Sequence, residues 1–396
     1  MNLSEDIVSF MNEWDVSALP IKQIEIENGS ITSIVPFIRS QSFQHAIVVV
    51  DRQTYRAAGE KVRRLLEKSE YALSIIELEE NHLGQVNADE ETVMQVFVSM
   101  PEEVDVLLAV GAGTIHDIVR FVSSKMKLPF ISVPTAASVD GFTSKGAPLI
   151  LKGVKKTIQT SSPIAVFADL DVLTAAPSPL TAAGFGDMLG KYTSLLDWRI
   201  SSVIGQEPFS DKACAITSSA LQECIDHVED IAAGTEKGLG VLMEALITSG
   251  IVMLILNFSR PASGAEHHLS HYWEMMLLKE DKKQLLHGAK VGAACLLISE
   301  LYHREKPFLE KEIEKVKTCD PQDKEALQSA MQQLPKPSQL KLYLEKVGGS
   351  VSPGELGIEE KLVQESLFEA IHLRERCTGL WLLNEKKSEA LVYPLR

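Results

Sequence analysis

The chain has 396 residues, and its 39 Lys and Arg against 54 Asp and Glu give a formal net charge of −15. This acidic balance excludes a protein that binds nucleic acid through a basic face, and an anionic substrate must be held by a local group of cations or backbone N–H groups. The five cysteines are scattered and form no Cys-x-x-Cys pair, which argues against a cysteine zinc site and predicts reduced thiols in a cytoplasmic protein.

Apolar runs alternate with helical spacing in the first part of the chain, after about 40 residues without a clear pattern. This alternation predicts a parallel sheet covered by helices on both faces. In such a sheet, ligands bind beyond the carboxyl ends of the strands. Strands are predicted at 46–51, 73–78, 104–110, 130–133 and 164–169, with helices at 55–68 and 90–100 and a third helix after Gly113.

A glycine turn follows the strand at 104–110. Its glycines allow backbone N–H groups to approach an anion, and the start of the next helix adds a partial positive charge. The turn lacks the third glycine of the dinucleotide-binding fingerprint, so these residues alone also fit a tight turn that binds nothing. The candidate cofactor-binding residues here are Gly111, Gly113, Thr114, Ile115, His116 and Asp117.

Two other segments are predicted at the same edge of the sheet. Asp51 ends the strand at 46–51, where an acid often binds ribose hydroxyls, although it equally suits the cap of the helix that starts near Thr54. The segment 134–144 carries four hydroxyls and Asp140 among small residues. Its hydroxyls can donate to phosphate or carboxamide oxygens and Asp140 can accept from a substrate hydroxyl, but a polar loop with a helix cap also fits.

The character of the sequence changes near residue 175. A β-hairpin is predicted at 147–159 and a last strand at 164–169, whereas helical patterns dominate afterwards. We therefore predict an α/β domain over residues 1–175 and an all-helical domain over 176–396. The apolar run at 247–258 is too short to span a bilayer and is predicted to be a buried helix, in the core or at a dimer interface.

Possible metal ligands are concentrated in three stretches of the helical part. Asp187 follows glycines at a predicted helix start, His267 and His271 are four residues apart and share a helix face, and His287 precedes a glycine. Each histidine alone is more often a surface or capping residue. Together, two imidazoles and a carboxylate suit a divalent transition metal with an open position for substrate.

These same residues carry a resemblance to a known family. The chain is similar to the sn-glycerol-1-phosphate dehydrogenases, which belong with iron-containing alcohol dehydrogenases, glycerol dehydrogenases and 3-dehydroquinate synthases. The resemblance runs from about residue 45 to about 300, and the acidic chain with its long charged C-terminal part is similar to the bacterial branch. It rests on Gly113-Thr114-Ile115-His116-Asp117, on the run from Pro134 to Gly141, on Gly186-Asp187, on the long run from Ser259 to His267, and on His287-Gly288.

The resemblance implies a Rossmann-like parallel-sheet domain and a helical domain with the active site in the cleft between them, as in dehydroquinate synthase. It implies reduction of dihydroxyacetone phosphate to sn-glycerol 1-phosphate with NAD(H) or NADP(H), for ether-type glycerolipid synthesis, by a homodimer without a membrane span. One divalent metal is expected, nickel first and zinc next. The implied residues are Asp187, His267 and His287 as metal ligands and catalytic groups, His271 as a further catalytic group, Asp140, Asp187 and His271 as substrate contacts, and Thr135, Ala136, Ala137, Ser138 and Ser144 as cofactor contacts beside the glycine turn.

One position departs from the wider superfamily. Iron alcohol dehydrogenases carry a histidine four residues after the ligand aspartate, and this chain has Lys191 there. The change argues against iron, and Lys191 and Arg260 are predicted to bind a substrate phosphate. The alternatives are a surface ion pair for Lys191 and a helix C-terminal charge for Arg260.

Other functions remain open at this level. A glycerol dehydrogenase or a dehydroquinate synthase would share the fold and the metal, but a neutral polyol would not need Lys191 and Arg260. A ligand-binding sensor on the same fold would bind nucleotide or phosphosugar without turnover. The complete ligand set and the intact glycine turn argue against the sensor.

Overall fold

The computed structural model describes residues 4–317 and 319–395. The strands are β1 (Gln23–Glu27), β2 (His45–Asp51), β3 (Ala72–Leu78), β4 (Val106–Gly111), β5 (Phe130–Pro134), β6 (Gly146–Leu151), β7 (Val154–Gln159) and β8 (Ala165–Asp169). The helices up to the last strand are α1 (Glu5–Glu13), α2 (Ile34–Ser40), α3 (Arg52–Thr54), α4 (Glu60–Lys68), α5 (Glu90–Ser99) and α6 (Gly113–Met126). Those after it are α7 (Leu170–Leu173), α8 (Ser178–Leu189), α9 (Lys191–Gly205), α10 (Asp211–Asp226), α11 (Val228–Ala232), α12 (Glu236–Leu256), α13 (Ala265–Lys279), α14 (His287–Arg304), α15 (Lys306–Lys315), α16 (Pro321–Gln333), α17 (Pro337–Lys346), α18 (Glu360–Glu369) and α19 (Gly379–Lys386).

Six strands form one parallel sheet in the order β1-β8-β5-β4-β2-β3. The crossovers run in opposite directions from β2 and from β4, so the strand order reverses between these two neighbours, which is where doubly wound folds bind ligands. The predicted fold class is confirmed. The prediction missed β1, because Gln-Ile-Glu-Ile-Glu alternates polar and apolar residues at the edge of the sheet.

The side chains of the central strands divide between two apolar cores. Val48 of β2 and Leu108 of β4 pack into one core, whereas their neighbours Val49 and Leu107 pack into the other. Because successive side chains of a strand point to opposite faces, continuous apolar runs fill both cores at once. This burial fixes the register that brings Gly111 beside Pro134 at the carboxyl edge.

The strands β6 and β7 form a separate antiparallel hairpin, as predicted. Its two-residue turn consists of Lys152 and Gly153, with φ of 53° and 73°. Two successive positive φ values match the right-handed twist of a hairpin. An isolated bridge from Ile150 to Asp89 ties the hairpin to the start of α5.

From Leu170 onward the described residues form helices and loops without a strand. The division at residue 175 falls between α7 and α8 and stays a prediction. The predicted apolar run at 247–258 is the second half of α12, which spans Glu236–Leu256. Because it begins before the predicted run, this helix suits a membrane by length and composition alone, but 78% of its apolar window is buried inside the protein, which confirms the predicted buried helix.

Candidate functional site

A cavity of about 330 Å³ lies between the carboxyl edge of the sheet and the helical part of the chain. Its size falls in the range of small-molecule sites. The loop after β5, the hairpin, the start of α6 and helices α13 and α14 all contribute to its walls. Of the predicted site residues, it is lined by Gly113, Thr114, His116, Asp117, Ser138, Asp140, Ser144, His267, His271 and His287.

The start of α6 faces this cavity. Ala112 is the N-cap residue and provides no side-chain cap, so the first backbone N–H groups of α6 have no capping partner. His116 is buried below them, with Nδ1 2.9 Å from the carbonyl oxygen of Ala112 and Nε2 2.7 Å from Oγ of Ser132. Burial lowers the pKa of His116 to about 3, so the imidazole is neutral. Among the described residues, no side chain therefore competes with a ligand for the first backbone N–H groups of α6.

Arg120 holds the loop after β5, a role that the sequence analysis missed. It is fully buried, pairs with Asp117 at 2.9 Å and donates to the carbonyl oxygens of Gly146 at 2.8 Å and Phe142 at 3.3 Å. Despite this partner, burial raises the pKa of Asp117 to about 7. The turn and the loop are thus one hydrogen-bonded unit.

Several predicted cofactor residues lie behind the cavity wall. Asp51 does not line the cavity, and its Oδ1 caps α3 by accepting from the backbone N–H groups of Gln53 and Thr54, each at 2.8 Å. This geometry supports the capping role, and the ribose contact stays a prediction. The others that do not line the cavity are Gly111, Ile115, Thr135, Ala136 and Ala137.

The predicted metal ligands meet on three helices. Asp187 from α8, His267 from α13 and His287 from α14 present ligand atoms that all lie within 4.8 Å of one another. Asp187 is fully buried, with Oδ1 3.6 Å from Nε2 of His267 and Oδ2 accepting from the backbone N–H of Asp140 at 3.0 Å. The ring centroids of His267 and His287 are 5.2 Å apart.

Close packing of α8 against α14 brings these ligands together. A Cβ atom on Gly288 would lie 1.8 Å from the carbonyl oxygen of Ala183, and one on Gly186 would lie 2.4 Å from the carbonyl oxygen of Gly288. Each glycine is adjacent in sequence to a ligand, Asp187 or His287. Backbone contact between the two helices therefore depends on the absence of these side chains.

Glu266 orients His267. Its Oε1 lies 2.7 Å from Nδ1 of His267, and it also accepts from the backbone N–H of Gly264 at 2.7 Å and from Thr193 at 2.7 Å. A proton on Nδ1 leaves Nε2 free to coordinate, the arrangement common behind metal-bound histidines. Glu266 belongs to the motif of the sequence analysis, but no role had been predicted for it.

Lys191 is buried between two carboxylates. Its Nζ lies 2.7 Å from Oδ2 of Asp140 and 3.4 Å from Oδ1 of Asp187, and it donates to the carbonyl oxygen of Ala262 at 3.3 Å. Burial opposes the charge, but the two carboxylates outweigh it and raise the pKa of Lys191. Burial likewise opposes the charge of Asp187, and Lys191 with the two histidines holds its pKa well below the ordinary value. The side chain of Lys191 is fully buried, which excludes a surface ion pair. Lys191 does not line the cavity, and its predicted phosphate contact stays a prediction.

Arg260 points away from the cavity. It forms an ion pair with Glu207, and its guanidinium lies 5.3 Å from the ring centre of Phe258. Arg260 is not among the residues that line the cavity, and its predicted contact with phosphate stays a prediction.

Other cations line the cavity instead. Lys155 of β7 lies 2.7 Å from Glu274, Lys290 of α14 lies 3.0 Å from the same carboxylate, and Arg374 reaches the cavity from the C-terminal part of the chain. Nη2 of Arg374 is 3.3 Å from Nε2 of His271. Helical spacing in the sequence could have identified Glu274 and Lys290. Glu274 follows His271 by three positions on α13, and Lys290 follows His287 by three positions on α14. No local signal marks Arg374.

The ligand set fits a divalent transition metal. It consists of two imidazoles and one carboxylate, both histidines line the cavity, and Nδ1 of His287 is buried without a hydrogen-bond partner among the described residues. Of the three buried carboxyl groups at the site, those of Asp187 and Asp140 face the ammonium of Lys191 and that of Glu266 faces the imidazole of His267, so the carboxyl groups outnumber the ammonium. A divalent cation would offset this excess of negative charge.

Comparisons with known proteins agree with this description. A family model described as iron-containing alcohol dehydrogenase matches residues 25–177. The chain is 48% identical over 385 residues to a glycerol-1-phosphate dehydrogenase [NAD(P)+] of Geobacillus thermodenitrificans, covering 94% of each chain. It is 46% identical over 368 residues to one of Bacillus licheniformis, covering 93% of this chain and 90% of the other. A probable glycerol dehydrogenase of Sinorhizobium meliloti shares the fold, with a TM-score of 0.66, 18% identity, and coverage of 89% of this chain and 88% of the other.

Proposed function

The chain belongs to the family of glycerol-1-phosphate dehydrogenases that use NAD(P)+, and from this premise we propose that it reversibly reduces dihydroxyacetone phosphate to sn-glycerol 1-phosphate. It is an oxidoreductase. The observation that carries the proposal is a single cavity lined by both histidines of the ligand cluster and by the uncapped start of α6. The alternatives of a polyol dehydrogenase, a synthase and a sensor have no comparable support.

The start of α6 binds the pyrophosphate of NADH or NADPH in this proposal. The backbone N–H groups after Ala112 have no side-chain cap, and the helix adds partial positive charge where the pyrophosphate would lie. Ser138 and Ser144 line the same cavity and provide hydroxyl donors. Ser144 already donates to the carbonyl oxygen of Gly141 at 3.3 Å, which ties it to the loop.

Asp187, His267 and His287 hold the metal. A divalent ion there supplies Lewis acidity toward the ketone oxygen, and the reduced nicotinamide supplies the hydride. We place nickel first and zinc next. Glu266 keeps Nε2 of His267 directed at Asp187, and Lys191 keeps the carboxylate of Asp187 ionised and in place.

Asp140 and His271 position the substrate in this proposal. Oδ2 of Asp140 is occupied by Lys191 and by Ser249, whose Oγ donates at 2.9 Å, so Oδ1 is left for a substrate hydroxyl. The ring of His271 lies 6.1 Å from that of His267 and 5.6 Å from that of His287, centre to centre. His271 therefore borders the position where a ketone would meet the metal.

The wider role follows from the proposed product. We propose that sn-glycerol 1-phosphate enters ether-type glycerolipid synthesis, that the protein acts in the cytoplasm, and that it forms a homodimer. Light scattering, which measures the molar mass in solution, tests the proposed homodimer directly.

The experiment is a spectrophotometric assay of NADH oxidation. Metal-stripped protein is restored separately with Ni²⁺, Zn²⁺ or Fe²⁺ and offered dihydroxyacetone phosphate or dihydroxyacetone. Turnover that requires metal and the phosphorylated ketone is the expected result. Turnover of dihydroxyacetone alone would indicate a polyol dehydrogenase, and no turnover with any metal would remove the proposal.

A further inference from the structure

We propose that Arg374, together with Lys155 and Lys290, forms the phosphate-binding site for the substrate, so that the C-terminal part of the chain selects a phosphorylated ketone. The inference rests on the proposed function and replaces the sequence-based assignment of the phosphate to Lys191 and Arg260. It depends on the charge, the contacts and the location of these three side chains.

The first argument is charge. Lys155 and Lys290 share one carboxylate, because Nζ of Lys155 lies 2.7 and 2.8 Å from the two oxygens of Glu274 and Nζ of Lys290 lies 3.0 Å from one of them. Arg374 forms no ion pair with any carboxylate in residues 4–317 and 319–395. Together the three cations and Glu274 carry an excess of two positive charges, which matches a phosphate monoester dianion. Asp117 on the same wall is already paired with Arg120.

The second argument concerns the hydrogen-bond partners of the Arg374 guanidinium. Within the described part of the chain, the hydrogen-bond partners of the guanidinium are neutral, namely Oγ of Ser263 at 3.0 Å, Nε2 of His271 at 3.3 Å and Oγ1 of Thr157 at 3.5 Å. The hydroxyl of Ser263 accepts from Arg374, so its own proton remains available to an anion. A planar guanidinium with neighbouring hydroxyls is a typical phosphate cradle.

The third argument is distance along the substrate. Three bonds separate the carbonyl carbon of dihydroxyacetone phosphate from its phosphorus, so the phosphate must bind close to the metal. Arg374 contacts His271, whose ring centre lies 5.6 Å from that of His287. Arg374 therefore contacts a histidine that neighbours the ligand cluster, a location that suits this short molecule.

The segment that carries Arg374 is held rigidly. Two residues later, Arg376 donates to the backbone oxygen of Ser263 and, at 2.9 Å, to Oγ of Ser259. The backbone N–H of Gly379 donates to Oδ1 of Asp197 at 2.8 Å, and Oδ2 of Asp197 accepts from the start of α13 at 2.7 Å. The arginine is thus tied to the helix that carries His267.

The test compares Arg374→Gln with Lys156→Gln, which removes the same charge from an exposed neighbour of Lys155. We expect Arg374→Gln to raise KM for dihydroxyacetone phosphate roughly 10- to 150-fold, the range for a lost hydrogen bond to a charged group. KM for NADH stays at the wild-type level. Free guanidinium restores turnover of the phosphorylated ketone, which a merely structural role would not allow.

The outcomes separate the inference from the proposed function. If wild-type protein fails to turn over dihydroxyacetone phosphate, the proposed function fails. If the wild type is active, three results would overturn this inference alone. They are an unchanged KM for dihydroxyacetone phosphate in Arg374→Gln, a rise in KM for NADH by the same factor, and no rescue of this variant by guanidinium. Lys290→Gln provides a second variant if Arg374→Gln does not fold, with the same expected rise in KM for the phosphorylated ketone.

Discussion

The ammonium of Lys191 lies 2.7 Å from the carboxylate of Asp140, and the lysine side chain is entirely shielded from solvent. The same ammonium lies 3.4 Å from Asp187. Because Lys191 is the cation paired with both buried carboxylates, we expect Lys191→Met to destabilise metal-free protein by roughly 3–5 kcal/mol. Urea unfolding in the presence of a chelator measures the loss.

The control for this change is Lys341→Met, which breaks an exposed pair with Glu345. Exposed pairs contribute about 0–1 kcal/mol. Equal losses in the two variants would contradict the structural role of Lys191.

Glu266→Gln tests whether Glu266 supports His267 as a proposed metal ligand. The amide retains the size of the carboxylate but removes the charge that accepts from Nδ1. Metal affinity should fall roughly 10- to 100-fold, the usual effect of changing such a partner. Competition with a chelating dye measures it, and Glu300→Gln on the exposed side of α14 is the control. Unchanged affinity would show that Glu266 does not act through His267.

Gly288→Ala tests the contact between α8 and α14. The new methyl group would overlap the carbonyl oxygen of Ala183, so the helices must separate and Asp187 and His287 move apart. We expect a loss of about 1–3 kcal/mol in stability, as for other overpacked sites, together with weaker metal binding. A Cβ atom on Gly240 of α12 would meet a single neighbouring atom, at 4.0 Å. Gly240→Ala should therefore stabilise the protein by about 0.5–1 kcal/mol. Equal changes in stability and in metal affinity in the two variants would argue against a backbone contact between α8 and α14.

Asp51→Asn separates the two roles predicted for Asp51. Asparagine caps helices as well as aspartate does, so the stability should be unchanged. If the carboxylate faces the ribose, its loss removes a repulsion of the 2′-phosphate, and the ratio of kcat/KM for NADPH to that for NADH rises. We expect this rise. An unchanged ratio would leave Asp51 as the cap of α3 alone.

His116 makes the stability depend on pH. Burial lowers its pKa from 6.5 to about 3, so the unfolded chain binds a proton between these values that the folded chain does not. Stability therefore decreases as the pH falls from about 6.5 towards about 3. His116→Asn should reduce the slope of the unfolding free energy between pH 4 and 6 by up to about 1.4 kcal/mol per pH unit.

Unfolding curves at several pH values measure this slope. The exposed His82→Asn variant is the control. Burial also lowers the pKa of His268 and His271, so a reduced slope remains in the His116 variant. An unchanged slope in His116→Asn would contradict its burial as a neutral group.

The sequence predicts what depends on local pattern. Continuous apolar runs identify the buried strands, and the turn after Val110 lies where the strand–helix signal places it. The extent of α12 was underestimated because Glu236 and the glycines that follow it lack the apolar character of the run at 247–258.

The site was harder to predict where it depends on distant partners. The direction of Arg260 is set by Glu207, 53 residues earlier in the chain. Arg374 meets His271 across 103 residues, and nothing near Arg374 in sequence marks it. Sequence motifs indicate which residues could act as ligands. Which cation lines a cavity, however, depends on packing between segments that are distant in sequence.

The anchoring of Arg374 has a consequence for how the reaction is divided along the chain. The predicted metal ligands and the glycine turn all lie before residue 290, whereas the unpaired guanidinium lies in the last 23 residues of the 396-residue chain. In the proposed phosphate site, Arg374 therefore lies far along the chain from the ligand cluster, whereas Lys155 and Lys290 belong to the same stretch as the cluster and the turn. If this site binds the phosphate, a change at Arg374 alters which ketones are accepted without replacing a residue of the ligand cluster or of the glycine turn, so substrate preference can shift by a single substitution in the terminal stretch.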